Sequence, residues 1–159
     1  MIAWPAKAAP RIQSIGVERS AECAAIHAAS FAHPWQEADF EQLLVTPGVL
    51  ADGAVGDKDE RLAGFVISRI AADEAEILTL AVAPEWRLRG VATNLLQPHL
   101  SALAANRAAR IFLEVEAGNT AALALYAKFG FKQVGERKSY YSSADASLKG
   151  ALIMRLDLL

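Results

Sequence analysis

Two stretches of this 159-residue chain carry residue types that can do chemistry. The first, residues 77–92, is an apolar run followed by Arg87, Arg89 and Gly90, just where a helical pattern begins. The first turn of a helix has unpaired backbone N–H groups and the positive end of its dipole. Gly90 would let an anion come close there, while Arg87 and Arg89 add charge. This is the pattern of a diphosphate cradle, and taken alone it is equally a solvated basic loop before a helix. The second stretch, residues 112–131, holds a carboxylate, Glu114, and a phenol, Tyr126, one able to take a proton and the other to give one. Singly, Glu114 reads as a salt-bridged or strand-end carboxylate and Tyr126 as a core aromatic on a helix face.

The elements that must position these residues follow from periodicity. Residues 11–17 are short and alternating enough for a first strand, and Ser20 is a candidate N-cap for an Ala-rich helix over 21–30. His33, Pro34 and Trp35 break that helix before a second one over 36–44, which Pro47 and Gly48 stop. Residues 49–55, 62–70 and 76–82 are predicted strands of an antiparallel meander, the first two joined by the turn-forming Gly56, Asp57, Lys58 and Asp59. From 91 to 105, Ala92, Leu95, Leu96, Leu100 and Leu103 recur at helical spacing. Pro98 removes a backbone donor there, at ~3 kcal/mol in a helix interior, and predicts a kink. Residues 110–116 alternate as a strand, with Ile111, Leu113 and Val115 on one face and Phe112, Glu114 and Glu116 on the other. Asn119 is a predicted N-cap for a helix over 120–129, with Gly130 at its left-handed end, and 131–134 and 152–156 supply two last strands. Residues 1–10, rich in Ala and Pro, are a loose arm, and 11–159 one α/β domain layered around a sheet.

Composition narrows the class. With 53% hydrophobic and 21% charged residues the chain is globular. A net charge of -2 without long runs of one sign argues against a nucleic-acid surface built on bulk charge. The single Cys23 cannot close an intramolecular disulfide and reads as a small buried hydrophobe. No apolar stretch reaches the ~18 residues of a membrane span, and the N-terminus lacks the apolar core of a signal peptide, so a cytoplasmic location is expected. His27, His33 and His99 have no partners at metal-ligand spacing and are expected to be structural or surface residues, with no metal.

Order and spacing of the two stretches together resemble the GCN5-related N-acetyltransferase (GNAT) superfamily. Arg87 to Ala92 is similar to its acetyl-CoA loop, Arg/Gln-x-x-Gly-x-Gly/Ala. Asn119, Ala122, Leu125, Tyr126, Gly130 and Phe131 match its Asn-x-x-Ala-x-x-Leu-Tyr-x-x-x-Gly-Phe segment. Residues 30–35, 113–115, 135–141 and 151–154 narrow the resemblance to the ribosomal-protein-alanine N-acetyltransferase (RimI) group, over residues 12–157. Leu88 stands where that pattern usually has a basic or polar residue, Ala92 replaces the commoner second glycine, and Lys149-Gly150 replaces an acidic residue before Ala151.

The resemblance implies a single GNAT-type domain with a mixed, mostly antiparallel twisted sheet flanked by helices. It implies that the backbone of Leu80, Ala81 and Val82 pairs with the pantetheine arm of acetyl-CoA and that Arg87, Leu88, Arg89, Gly90, Val91, Ala92 and Thr93 hold its pyrophosphate. Asn119 would contact the cofactor arm, Glu114 would be the general base and Tyr126 the general acid. Trp35, Tyr140 and Tyr141 would wall the substrate cleft, for which plain packing is an equal reading. The implied activity is direct acetyl transfer, in a ternary complex, to a protein N-terminal α-amine, with the N-terminal Ala of a small-subunit ribosomal protein as acceptor. Acetylation of lysine side chains or small amines, or a non-catalytic CoA-binding module, are the alternatives.

Such a transfer needs a neutral amine and a protonated leaving group, hence a base and an acid. An α-amine of pKa ~8 is about 10% neutral at pH 7, a lysine of ~10.4 only about 0.04%, so the α-amine is the easier nucleophile. A carboxylate at ~4.3 is nearly four units too weak a base for that ammonium, so burial must raise Glu114 or water must relay the proton. A phenol at ~10 donating to a thiolate near ~8.5 is uphill by only ~2 kcal/mol.

Overall fold

Alternation, caps and turns put most elements where periodicity predicts them. The computed structural model of the chain describes residues 8–138 and 150–158. In order, they form β1 (Arg11–Ser14), α1 (Ser20–Ser30), α2 (Glu37–Leu44), β2 (Val49–Val55), β3 (Leu62–Ala71), β4 (Glu74–Val82), α3 (Val91–Ala105), β5 (Arg110–Glu116), α4 (Thr120–Lys128), β6 (Lys132–Arg137) and β7 (Ala151–Asp157). The strands run β1-β2-β3-β4-β5-β7-β6 in a seven-stranded sheet. β4 and β5 are parallel, whereas β1 with β2, β5 with β7 and β6 with β7 are antiparallel. The fold is the expected mixed α/β one. Among the described residues no helix is long and apolar enough to cross a membrane.

The chain divides into two compact units, one of Met1–Ile67 with Thr79–His99, the other of Ser68–Leu78 with Leu100–Leu159. In the first, Cys23, Ile26, Phe40, Val55, Phe65 and Ile67 form a buried cluster against which Trp35 and Leu43 pack. Burying each large side chain of this set contributes ~1.5 to 3 kcal/mol. A polar tie crosses the same unit, where fully buried His99 on α3 meets Asp52 Oδ2 on β2 through Nδ1 at 2.7 Å. In the second unit Ile111, Leu113 and Val115 of β5 are buried with Tyr126, Phe131 and Met154, while Glu114 and Glu116 are exposed, as alternation requires.

Several boundaries differ from expectation. β1 stops at Ser14, because Val17–Arg19 turns into a 3-10 helix and the Gly16 N–H is taken by Glu18 Oε1 at 3.1 Å. Ser20 is not the N-cap of α1. It is the first helical residue, its hydroxyl donating back to Val17 O at 2.7 Å, because the 3-10 turn runs straight into the helix. α2 starts one residue later than predicted, at Glu37, with the Gln36 N–H bonded to Asp39 Oδ2 at 2.8 Å as in a capping box. α3 runs through Pro98 without ending. β6 starts and ends later than predicted, and its pairing with β7 shifts register between Gln133 and Gly135.

Candidate active site

The predicted cradle lies in the first unit and is built largely from backbone. β4 ends at Val82, a 3-10 turn spans Pro84–Trp86, and α3 begins at Val91. Its hydrogen-bond ladder opens with the Asn94 N–H on Gly90 O at 3.0 Å. The N–H groups of Val91, Ala92 and Thr93 therefore have no intrahelical acceptor, at the positive end of the dipole. Gly90 has φ +78°, and a Cβ built on it would meet nothing within 4 Å, so the loop is open on that side. Leu88 is also left-handed, φ +61°, and fully exposed, a conformation that costs a leucine ~1 to 2 kcal/mol. Free amides, an open glycine and exposed Arg89 fit a diphosphate.

Arg87 is placed otherwise than expected. Its Nε bonds Val82 O, and Nη2 bonds both Ala29 O and Ser30 Oγ, each at 3.2 Å. The guanidinium thus sits on the carbonyl end of α1, where the dipole favours a cation, and ties the cradle loop to that helix. A second support was not singled out by the sequence reading. Gly64 on β3 lies so close to the end of β4 that a Cβ there would come within 2.9 Å of Ala81 O and 3.3 Å of Val82 Cα. A lone glycine inside a strand pattern is the signal that points to it.

The strand beside the cradle suits an added partner. β4 pairs with β5 only from Glu74 to Glu76, opposite Arg110 to Phe112, and the ladder goes no further, so Leu80, Ala81 and Val82 have no β5 partner. Among the described residues, buried Thr79 Oγ1 has no hydrogen-bond partner either.

The proposed acid and base lie in the second unit. Asn119 caps α4, its Oδ1 accepting the Ala122 N–H at 3.1 Å. The other end of α4 closes as a Schellman motif. Phe131 N–H bonds Tyr126 O, Gly130 N–H bonds Ala127 O, both at 3.0 Å, and Gly130 has φ +96°. That closure brings the Phe131 ring edge-on to Tyr126 at 5.5 Å and leaves Tyr126 only 8% exposed. Burial pushes the phenol up to about 12. Tyr126 therefore keeps its proton at any working pH, and donation to a thiolate becomes uphill by ~5 kcal/mol where an unperturbed phenol needs ~2.

Glu114 is not buried. Its side chain is 38% exposed and Oε1 receives Arg137 Nη2 at 2.8 Å. Of the two routes that sequence leaves open to it, a water relay fits this environment. It lines a pocket of about 280 Å³ with Arg69, Glu76 and Phe112 among others. Glu76 and Arg69 are further polar residues of this pocket. The parallel register of Glu76 with Phe112 places Glu76 on the Glu114 face, a relation that sequence alternation marks only once the pairing is known.

Of the predicted substrate wall, Trp35 is half-buried against the core of the first unit, stacked on His27 at 4.9 Å. Tyr140 and Tyr141 lie outside the described residues. Cys23 is fully buried with its thiol pushed up to about 12 by desolvation, which argues against a covalent acetyl-cysteine route.

Comparison with known proteins adds four findings. Residues 20–131 match the model of the acetyltransferase (GNAT) family. The chain is 32% identical over 137 residues, 85% of its length and 90% of the relative's, to the [ribosomal protein bS18]-alanine N-acetyltransferase of Escherichia coli K12. It is 37% identical over 132 residues to the N-alpha-acetyltransferase RimI of Mycobacterium tuberculosis, 78% of this chain and 80% of that one. Among solved structures, the ribosomal-protein-S18-alanine N-acetyltransferase of Escherichia coli superimposes with a TM-score of 0.82 at 29% identity, over 92% of each chain.

Proposed function

The chain belongs to the GNAT acetyltransferase family, and from that premise we propose that it carries acetyl from acetyl-CoA to the α-amine of a protein N-terminus. The N-terminal alanine of a small-subunit ribosomal protein is the acceptor we favour, which places its work in the cytoplasm. The observation that carries this reading is similarity along most of the chain to enzymes named for that reaction.

In this reading the cradle amides of Val91, Ala92 and Thr93, with Arg89 beside them, hold the pyrophosphate, and Leu80, Ala81 and Val82 hold the pantetheine arm as an added strand. Acetyl-CoA supplies an activated acyl group. Glu114 receives the ammonium proton through water, and the neutral nitrogen forms its bond to the acyl carbon. The carbon–sulfur bond breaks as Tyr126 gives its proton to the departing sulfur. The amide nitrogen gives up its second proton, through water, to the Tyr126 phenolate, and Glu114 passes its proton to bulk water, which resets both residues. The uphill donation by Tyr126 is offset only as negative charge develops on sulfur within hydrogen-bond reach of Oη.

Peptides beginning with Ala, Ser or Met, each with a free or blocked N-terminus and one internal Lys, test the acceptor. The α-amine starts with a ~3 kcal/mol advantage in deprotonation cost. Fragmentation should place the acetyl group on the free N-terminus, fastest for Ala. Label on the internal Lys of blocked peptides at an equal or higher rate would transfer the assignment to lysine.

A further inference from the structure

His27 is a buried titratable group that the transfer chemistry does not use. It sits in the last turn of α1, 4% exposed, and the segment from Phe31 to Trp35 that joins α1 to α2 folds around it. Its ring is 4.3 Å from Phe31, stacked at 21° on Trp35 and edge-on to Phe40 of α2 at 5.5 Å. The Trp35 backbone N–H donates to His27 Nδ1 at 3.1 Å. An imidazole that accepts at Nδ1 carries its proton on Nε2 and is neutral. A phenylalanine could stack on these rings and could not accept this bond. A protonated histidine would set donor against donor.

We propose that His27 is a positioning residue for the acceptor: as a neutral base it pins Trp35, and with it the 31–35 segment, in the arrangement that meets the peptide N-terminus. The proposal rests on the functional reading above together with the expectation, carried by the family resemblance, that Trp35 walls the substrate cleft. The same turn of α1 receives Arg87 from the cradle loop at Ala29 O and Ser30 Oγ, so the elements that hold cofactor and acceptor are anchored on one helix end within this unit.

The pin is sensitive to acid. Desolvation holds the His27 imidazole below its ordinary value of 6.5. The charged groups on the surrounding elements do not offset this. On α1, Arg19 and Glu22 pair with each other, and on α2 Asp39 caps its own helix while Glu37 and Glu41 are exposed. His33 in the segment is exposed, and Arg87 brings positive charge to the helix end. Because the folded state disfavours the proton, the contribution is whole above pH ~6.5 and is lost as pH falls through the lower folded value.

Two variants separate the pin from the stacking. His27→Phe keeps an aromatic ring and removes the acceptor. His27→Asn keeps an acceptor near the Nδ1 position and removes the titration. Hydrogen exchange at the Trp35 amide reads the bond, and steady-state kinetics read its use. His27→Phe should speed Trp35 exchange ~10-fold and raise the peptide KM by a similar factor, with the acetyl-CoA KM unchanged. His27→Asn should stay within ~3-fold of wild type in both. Between pH 7.5 and 5.5 the wild-type peptide KM should rise relative to that of His27→Asn, a ratio that cancels titration of the acceptor amine. A folded His27→Phe variant with unchanged Trp35 exchange, or with an unchanged peptide KM, overturns the proposal alone. A wild-type enzyme that acetylates no free peptide N-terminus overturns the functional reading and this proposal with it.

Discussion

The candidate cradle at the start of α3 and the proposed acid–base residues of β5 and α4 are two kinds of site. The cradle is a shape of the backbone: three amides at a helix start, a left-handed Gly90 and a left-handed, fully exposed Leu88. Its side chains matter through where they do not intrude, and even Arg87 is spent on holding the loop. The second site is made of side-chain atoms. Tyr126 is set by the Schellman closure at Gly130 and the Phe131 ring, Glu114 by strand alternation and the Arg137 pair. A backbone site should therefore lose affinity when space or backbone conformation is altered. A side-chain site should lose turnover when one atom is removed.

The largest test of that contrast is Tyr126→Phe, which should lower kcat ~100-fold or more and leave acetyl-CoA affinity, measured by calorimetry, within ~3-fold. Because burial holds the phenol at about 12, Tyr126 should not lose its proton, and so should cause no alkaline fall in kcat, below pH about 11. A spectroscopic titration of wild type minus Tyr126→Phe should place this phenol above the ordinary tyrosine range. Folding stability tied to this group is whole below pH ~10 and is lost as pH rises, since the unfolded chain gives up the proton first.

Next in size, Glu114→Gln should lower kcat ~10- to 100-fold with the cofactor still bound, and Glu76→Gln should cost less. The reverse order would move the base from β5 to β4 within the same pocket.

Gly90→Asp should raise the acetyl-CoA KM ~10-fold or more with kcat near wild type, through charge repulsion and the ~1 to 2 kcal/mol strain of a left-handed non-glycine residue. Gly64→Ala should act in the same direction from beneath, by displacing Ala81 and Val82, and should also lower the melting temperature. If either variant changed kcat alone, the cradle would not be the backbone site described.

The smallest expected effect is at Leu88. Leu88→Gly removes ~1 to 2 kcal/mol of left-handed strain and gives back ~0.5 to 1 kcal/mol in unfolded-state entropy, so a melt should show a stability gain below ~1.5 kcal/mol and calorimetry an unchanged affinity. A large loss of affinity would show that the leucine side chain itself touches the ligand.

What the sequence made legible was local. The helix start at Gly90, the cap at Asn119, the left-handed Gly130 and the face of Glu114 each depend on residues a few positions apart, because backbone hydrogen bonds, sterics and strand alternation act at that range. The family resemblance, carried by such short segments, located the same residues. What sequence left open was where each charged group ends. Arg87 reads as a charge for an anion until packing brings it 58 positions back to Ala29 O. Glu114 reads as a carboxylate needing burial until the antiparallel pairings through β7 bring Arg137 to it. His27 reads as a structural or surface histidine until the 31–35 segment closes on its Nδ1. Partners of this kind are set by strand register and by which faces pack, so only the tertiary structure decides them, and a one-residue slip of β5 or β6 against β7 would part Glu114 from Arg137.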